Sequence, residues 1–349
     1  MSEVLVDVET VAGPLLTPRG DLMITRILER DGVWEPAETK FLQQVLRTGY
    51  TFVDVGAHVG YFSVLAARSV GPTGTVLAFE PEARNFELLQ RNLDRNGCTQ
   101  ARAFPYAAHA HEGFMSLVLH EENRGAHHLV ALGETENVVQ CVRLDDVLPA
   151  RVDVVKIDVQ GYDHDVVAGL TNTISRNPHL IIITELSRGE LLRRGIDAAH
   201  VLGGYHDLGC TLSIFDRYGH LRPTPVATLI DLHHQQTLPA DVSIVLTFDM
   251  GSASTSEEDY CPRPAVGVER HESADGVIIY EPVTDRAHHL NHTAALVFDF
   301  CSGNNNVRQI TTLLQEAFDL TDRPDAEVAE CLVQLGRLGL ITLNQSASR

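Results

Sequence analysis

The sequence predicts a doubly wound α/β domain followed by a small α+β domain. Three observations carry that prediction. From Thr51 onward, short apolar runs rich in Val and Ile alternate with longer amphipathic stretches, the pattern of parallel strands joined by covering helices. The alternation stops at GSASTSEEDYCPRP, Gly251 to Pro264, a small, polar and proline-bearing run that reads as a linker. Beyond it the order changes to short strands followed by three helical stretches. The expected division is therefore a first domain over 1–250, a linker over 251–265 and a second domain over 266–349.

The elements follow in order. TFVDV (Thr51 to Val55) reads as a buried strand, and Tyr61 to Ser69 as the helix after it. TVLAF (Thr75 to Phe79) is a second strand. Pro81 to Asn96 is a helix with proline at its start, Phe86, Leu89 and Leu93 on one face, and Gly97 as its stop. ARAFPY is a third strand, VDVVKID (Val152 to Asp158) a fourth with a helix through Leu170, and HLIIITE (His179 to Glu185) a fifth. LSIFD and SIVLTF close the sheet. In the second domain GVIIYEP and AHHL are strands, and Thr293 to Cys301, Val307 to Phe318 and Glu327 to Leu338 are helices. About 80 residues can fold alone.

Composition excludes several classes of function. The net charge is −20 and only Lys40 and Lys156 are lysines, so nothing suggests a partner held by its phosphates, whether nucleic acid or anionic membrane. No run approaches the roughly 20 apolar residues that cross a bilayer. The start, MSEVLVDVET, is acidic and reads as no secretion signal. Six cysteines without CxxC spacing point to reduced thiols, a cytoplasmic protein and no structural zinc. The histidine pairs 127/128, 233/234 and 288/289 lack i,i+4 spacing, so no metal is expected.

The stretch FVDVGAHVGYF, Phe52 to Phe62, joins the first strand to the first helix and marks a small-molecule site. It lacks the lysine of a triphosphate loop and the GxGxxG spacing of a dinucleotide loop. An acid beside the loop, in the pattern Asp54, Gly56, Gly60, disfavours a pyrophosphate and suits a ligand with an amino or cationic centre. Glu80 ends the second strand, where a carboxylate can accept hydrogen bonds from both ribose hydroxyls. S-adenosylmethionine, with a ribose, an ammonium and a sulfonium but no phosphate, meets these demands.

The runs FVDVGAHVGYFSVLAA, VLAFEPEARNFELLQRNLDRNG and RLDDVLPARVDVVKIDVQGYDHDVVAGL resemble the FkbM family of S-adenosylmethionine-dependent methyltransferases, over about Pro18 to Phe248. The resemblance implies a class I methyltransferase, Rossmann-like fold. It places the cofactor along Asp54, Gly56, Ala57, His58 and Gly60, along Glu80, Pro81 and Asn85, and beside Ala107 and Asp158. The upstream GVWEPAETKFLQQVLRTG resembles the family's entry segment, with Trp34 and Glu35 bordering the cofactor. NRGAHH resembles a loop near the substrate, with His127 and His128 as additions. The family's KIDVEG is here KIDVQG, with Gln160 for the glutamate and Asp163 for the later acid.

Methyl transfer is an in-line displacement, so positioning supplies much of the acceleration, and a base is needed only for a protonated acceptor such as a hydroxyl. The candidate groups are Asp158, to steady the cofactor or hold the acceptor, Glu185, to orient or deprotonate it, and His128. Hydroxyl, carboxylate, amide and imidazole acceptors all remain compatible.

From Ala265 to Arg349 stand six arginines and twelve acids, a net −6 that disfavours DNA. AHHLNHTAALVFDFCSGNNNVRQITTLLQEAF and AEVAECLVQLGRLGLI resemble PqqD-like domains, recognition elements for the leaders of ribosomally made, modified peptides, over Val266 to about Leu343. The resemblance implies a winged-helix-like α+β module. Its open strand edge, here Ala287 to Leu290 facing the helix Glu327 to Leu338, takes the leader as an added strand. Asn291 reads as a helix N-cap. The combined expectation is methylation of a precursor peptide side chain in natural-product maturation. The alternative is an O-methyltransferase for a sugar or polyketide hydroxyl, with a structural second domain.

Overall fold

The computed structural model describes residues 4–120, 122–216, 219–248, 260–265, 267–273, 276–282, 286–303, 305–318, 320 and 323–345. The chain forms two compact units, Met1–Met250 and Gly251–Arg349.

Eight strands make the main sheet of the first unit. They are β1 (Thr51–Val55), β2 (Thr75–Phe79), β3 (Ala101–Phe104), β4 (Val154–Ile157), β5 (Ile181–Ser187), β6 (Thr211–Phe215), β7 (Leu221–Pro223) and β8 (Asp241–Thr247). Their order is β7-β6-β8-β5-β4-β1-β2-β3. The five strands β3-β2-β1-β4-β5 run parallel, as the alternation requires. β8 then enters antiparallel between β5 and β6, and β7 pairs antiparallel with β6. The sheet is therefore mixed rather than wholly parallel, because alternation predicts the layers but not the direction of a strand inserted last.

Both faces are dry. Val53, Val55, Leu77, Phe79, Val155, Ile157 and Ile182 pack one face, and Phe52, Val76, Ala78, Val154 and Ile183 the other. Burying each Val, Leu, Ile or Phe contributes about 1.5–3 kcal/mol. That double burial is why these strands read as continuous apolar runs. The helix Tyr61–Val70 follows β1, and Ala83–Arg95 follows β2 with Glu82, not Pro81, as its N-cap; the Glu82 carboxylate accepts from the Asn85 amide at 2.7 Å. The helix expected after β4 is Asp163–Ala168, and a second short helix, Thr171–Arg176, follows it. Gly169 lies between them, so close to the chain at His109 that a Cβ would stand 2.7 Å from its carbonyl oxygen.

Among the elements with no counterpart in the sequence reading, two bear on the site. Leu5–Glu9 and Pro14–Pro18 form a hairpin, pinned to the helix Ala83–Arg95 by Asn92, whose amide bonds the Leu16 amide and carbonyl at 2.7 and 2.9 Å. Between β3 and β4 a four-stranded sheet is inserted, built of Ala107–Ala108, Val138–Val142, Gly113–Val118 and His128–Val130 in that order.

In the second unit Glu269–Ser273, Gly276–Glu281 and Arg286–Leu290 form a three-stranded antiparallel sheet with Gly276–Glu281 central. The helices His292–Phe300, Val307–Ala317 and Asp325–Arg337 cover it, burying Val277, Ile279, Leu290, Phe298, Ile310, Leu314, Val328 and Leu332. Asn291 caps the first helix, accepting from the Ala294 amide at 2.9 Å, and Asn306 with Gln309 forms a capping box on the second. Of the predicted linker, 251–259 lies outside the described residues. Its remainder is no linker: Tyr260–Pro264 pairs with Ile341–Gln345 inside the second unit. Pro262 and Pro264 are compatible with it because this strand has one partner only among the described residues.

Candidate active site

At the carboxyl ends of β1, β2, β4 and β5 lies a cavity of about 280 Å³. Its walls come from the segment before the helix Pro36–Val45, the loop after β1, the end of β2, the inserted sheet and the ends of β4 and β5. This is the crevice where open α/β sheets bind ligands.

The loop after β1 is shaped by backbone geometry. Gly56 has φ +81° and lies so close to β4 that a Cβ would stand 2.0 Å from the Asp158 carbonyl oxygen. No side chain fits there. His58 (φ +51°) directs its amide to Glu80 Oε2 at 2.9 Å, and the Glu82 amide bonds Oε1 at 2.9 Å. Glu80 is thus fixed by two backbone donors and still lines the cavity. Burial pushes its carboxyl up to about 7. Burial likewise drives the His58 imidazole down to about 3, so that ring is neutral. Among the described residues, three of the four non-glycine residues with positive φ, namely Glu35, His58 and Gln160, line this cavity. Such strain gathers at functional sites.

The other end of the cavity is acidic. Glu35, Asp158, Glu185 and Asp241 face it around one ammonium, Lys156. Lys156 Nζ is 3.1 Å from Asp158 Oδ2, 3.4 Å from Glu35 Oε2 and 4.4 Å from the centre of the Phe62 ring. Burial pushes Glu35 up to about 7 against the pull of that ammonium. Glu185 is pushed up to about 10, first by burial and then by Asp158, Asp163, Asp241 and Glu35. Burial and these neighbouring carboxylates favour the protonated form of Glu185, in which it can donate a hydrogen bond.

Asp158 caps no helix: the helix Asp163–Ala168 has Tyr162 at its N-cap without a side-chain bond. The Asp158 carboxylate instead accepts from Lys156 and, at 3.3 Å, from Gln160 Nε2. His128 lines the wall with Nδ1 3.1 Å from the Ala126 carbonyl, and burial lowers its basicity.

Trp34, Glu35, Gly56, Ala57, His58, Glu80, Pro81, Asn85, Ala107, Asp158, Glu185 and His128 all reach the cavity. Asp54 and Gly60 do not. The Asp54 carboxylate is 2% exposed and accepts from the Ser63 hydroxyl at 2.5 Å, behind the loop rather than in it. Gly60 serves packing: its φ is +93° and a Cβ would meet Leu89 Cδ1 at 2.7 Å. Sequence reasoning missed Lys156, Tyr106, Arg124 and Asp241 as wall residues. For Lys156 a signal existed, a lone lysine in an otherwise apolar strand.

Residues 54–203 match the methyltransferase FkbM domain, and residues 276–341 match coenzyme PQQ synthesis protein D (PqqD). The chain carries an FkbM methyltransferase domain. This chain is 28% identical over 143 residues to Methyltransferase 1 of Beauveria bassiana; that match covers 34% of this chain and 57% of the relative. Similar solved structures include Methyltransferase FkbM from Methylobacillus flagellatus (15% identity, TM-score 0.36, 60% of this chain and 50% of that one). Another is an S-adenosylmethionine-dependent O-methyltransferase from Thermotoga maritima (14% identity, TM-score 0.39, 70% of this chain and 77% of that one). The chain thus spans little more than half the length of the curated relative it matches.

S-adenosylmethionine is the cofactor of the FkbM domain, and the cavity fits it on its own geometry. Asn85 is 1% exposed, lines the wall, and its Oδ1 has no hydrogen-bond partner, an acceptor waiting for a donor. Glu80 lines the cavity with lone pairs beyond those that its two backbone donors use, room for a pair of hydroxyls, and the acidic end suits a cationic centre.

Proposed function

We propose that this chain methylates a side chain of a ribosomally made precursor peptide, using S-adenosylmethionine in the first unit and gripping the peptide's leader with the second. The observation that carries the reading is the presence, in one chain, of a methyltransferase domain and a PqqD domain. When bound, S-adenosylmethionine supplies an electrophilic methyl group. Glu80, Asn85 and the loop at Gly56 hold the adenosine end. Asp158 accepts a hydrogen bond from the acceptor group and Glu185 donates one, so the acceptor is oriented between them.

In the second unit the strand Arg286–Leu290 pairs only with Gly276–Glu281 among the described residues, which leaves its outer edge open. A leader that adds a strand there gains backbone hydrogen bonds, and its alternate side chains give selectivity. Tethering then raises the local concentration of the modified segment to about millimolar. The test is mass spectrometry of a precursor after incubation with enzyme and cofactor. A gain of one methylene on a single residue, faster with the leader than without it, is expected. Equal rates with and without leader would overturn the role of the second unit and favour a small-molecule hydroxyl as acceptor.

A further inference from the structure

Lys156 occupies a position that strand geometry reserves for an apolar residue. It lies on β4 two residues from Val154, on the sheet face packed by Phe52, Val76, Ile183 and the helix Tyr61–Val70. It is only 5% exposed. A buried ammonium is retained only with close compensation, and here the compensation is specific. Its Nζ stands between Asp158, just past the end of its own strand, and Glu35 on the segment before the helix Pro36–Val45, with the Phe62 ring at 4.4 Å. Asp54 is its register neighbour on β1. Further titratable groups face this cluster: Glu38 from the helix Pro36–Val45, Asp163 from the start of the helix Asp163–Ala168, Glu185 from β5 and Asp241 from β8.

Asp158 and Glu35 contact this one cation and Asp54 lies beside it. Without it, Glu35 and Asp158 would repel each other across the mouth of the cavity, and Glu35 is already held in a left-handed backbone conformation at φ +42°. The lysine cannot be a base, because the carboxylates at 3.1 and 3.4 Å hold its proton. Nor is it free to bind an anionic substrate, since both partners are internal.

We infer that Lys156 is a positioning residue for methyl transfer: its ammonium fixes the Asp158 carboxylate against the acceptor and ties the Glu35 segment to the end of β4. The catalytic part of this inference rests on the proposed function; the binding part does not. The ammonium pulls the proton affinity of Glu35 down, so without it whatever needs Glu35 ionised is lost at higher pH.

The test uses the full chain as Lys156→Arg and Lys156→Met. S-adenosylhomocysteine affinity is titrated by calorimetry from pH 5.5 to 8.5, alongside melting and methylation of the leader-bearing peptide. Lys156→Met is expected to move the acid-side midpoint of binding up by about one pH unit, and Lys156→Arg to leave it in place. With the peptide, Lys156→Met should lower kcat by about thirtyfold or more with little change in KM, and Lys156→Arg should restore most of it. If Lys156→Met alone fails to fold, Glu35→Gln combined with it removes one uncompensated carboxylate, and the same readouts apply. A Lys156→Met protein that melts earlier but keeps both midpoint and kcat makes the lysine merely structural and overturns the inference. If the wild-type chain binds S-adenosylhomocysteine yet methylates no peptide, the proposed function fails, while the binding midpoints still decide the role of Lys156.

Discussion

Replacing Glu80 by Gln tests the ribose contact with the least disturbance of shape. In the native cavity both carboxylate oxygens accept a backbone amide, from His58 and Glu82, each at 2.9 Å. Glutamine keeps one acceptor oxygen and turns an NH2 group toward the other amide, donor against donor. An unsatisfied buried amide costs about 1–3 kcal/mol, which offsets the relief of replacing a carboxylate that burial holds near 7. Ligand binding loses more than folding alone implies. A hydrogen bond to a charged group contributes about 1.5–3 kcal/mol, and losing one of two proposed hydroxyl contacts weakens S-adenosylhomocysteine by about ten- to hundredfold. Because burial holds Glu80 near 7, wild-type affinity should also rise as pH passes from 6 to 8, and the variant should lose that part of the rise. Calorimetric titration reads both effects. An affinity within twofold of wild type would refute the reasoning.

Three further outcomes follow from the same geometry. Gly56→Ala drives a Cβ to 2.0 Å from the Asp158 carbonyl at a φ of +81°, so S-adenosylhomocysteine binding should vanish and stability fall by about 1–3 kcal/mol, as read by calorimetry and melting. Glu185→Gln should keep methylation within a few-fold and leave its pH profile unchanged, because the native carboxyl, pushed up to about 10, is already protonated; a loss above about a hundredfold would make Glu185 the base after all. Glu35, Glu80 and Asp163 are raised to about 7, so between about pH 4.5 and 7 the folded chain holds protons that the unfolded chain releases. Stability of the ligand-free protein should therefore fall as pH rises through that window, by at most about 1.4 kcal/mol per pH unit for each group, and a melting temperature that rises instead would contradict the assignments.

Much of the sheet was legible because β1, β2, β4 and β5 are buried on both faces, which forces continuous runs such as TFVDV and TVLAF. The direction of β8 was not, since hydrophobicity carries no strand polarity. The inserted sheet escaped notice because its strands are two to six residues long and partly exposed, so neither period nor composition marks them. Glu80 and Gly56 were readable from position alone: a strand end and a loop that no side chain fits. Asp54 was misplaced for an instructive reason. The motif puts an acid beside the loop, but strand alternation aims it at the face of Phe52, where the next helix offers Ser63. Lys156 depends on three segments far apart in sequence, and no local pattern brings Glu35, Asp158 and Phe62 around one atom.

The account stands on the cavity above β1 and β2 holding the adenosyl end of the cofactor. A crystal structure of the full chain grown with S-adenosylhomocysteine measures this directly. The account predicts the ribose hydroxyls on the Glu80 carboxylate and a ligand donor on Asn85 Oδ1. Density for the ligand elsewhere, or a Glu80 side chain turned away from it, would contradict the account.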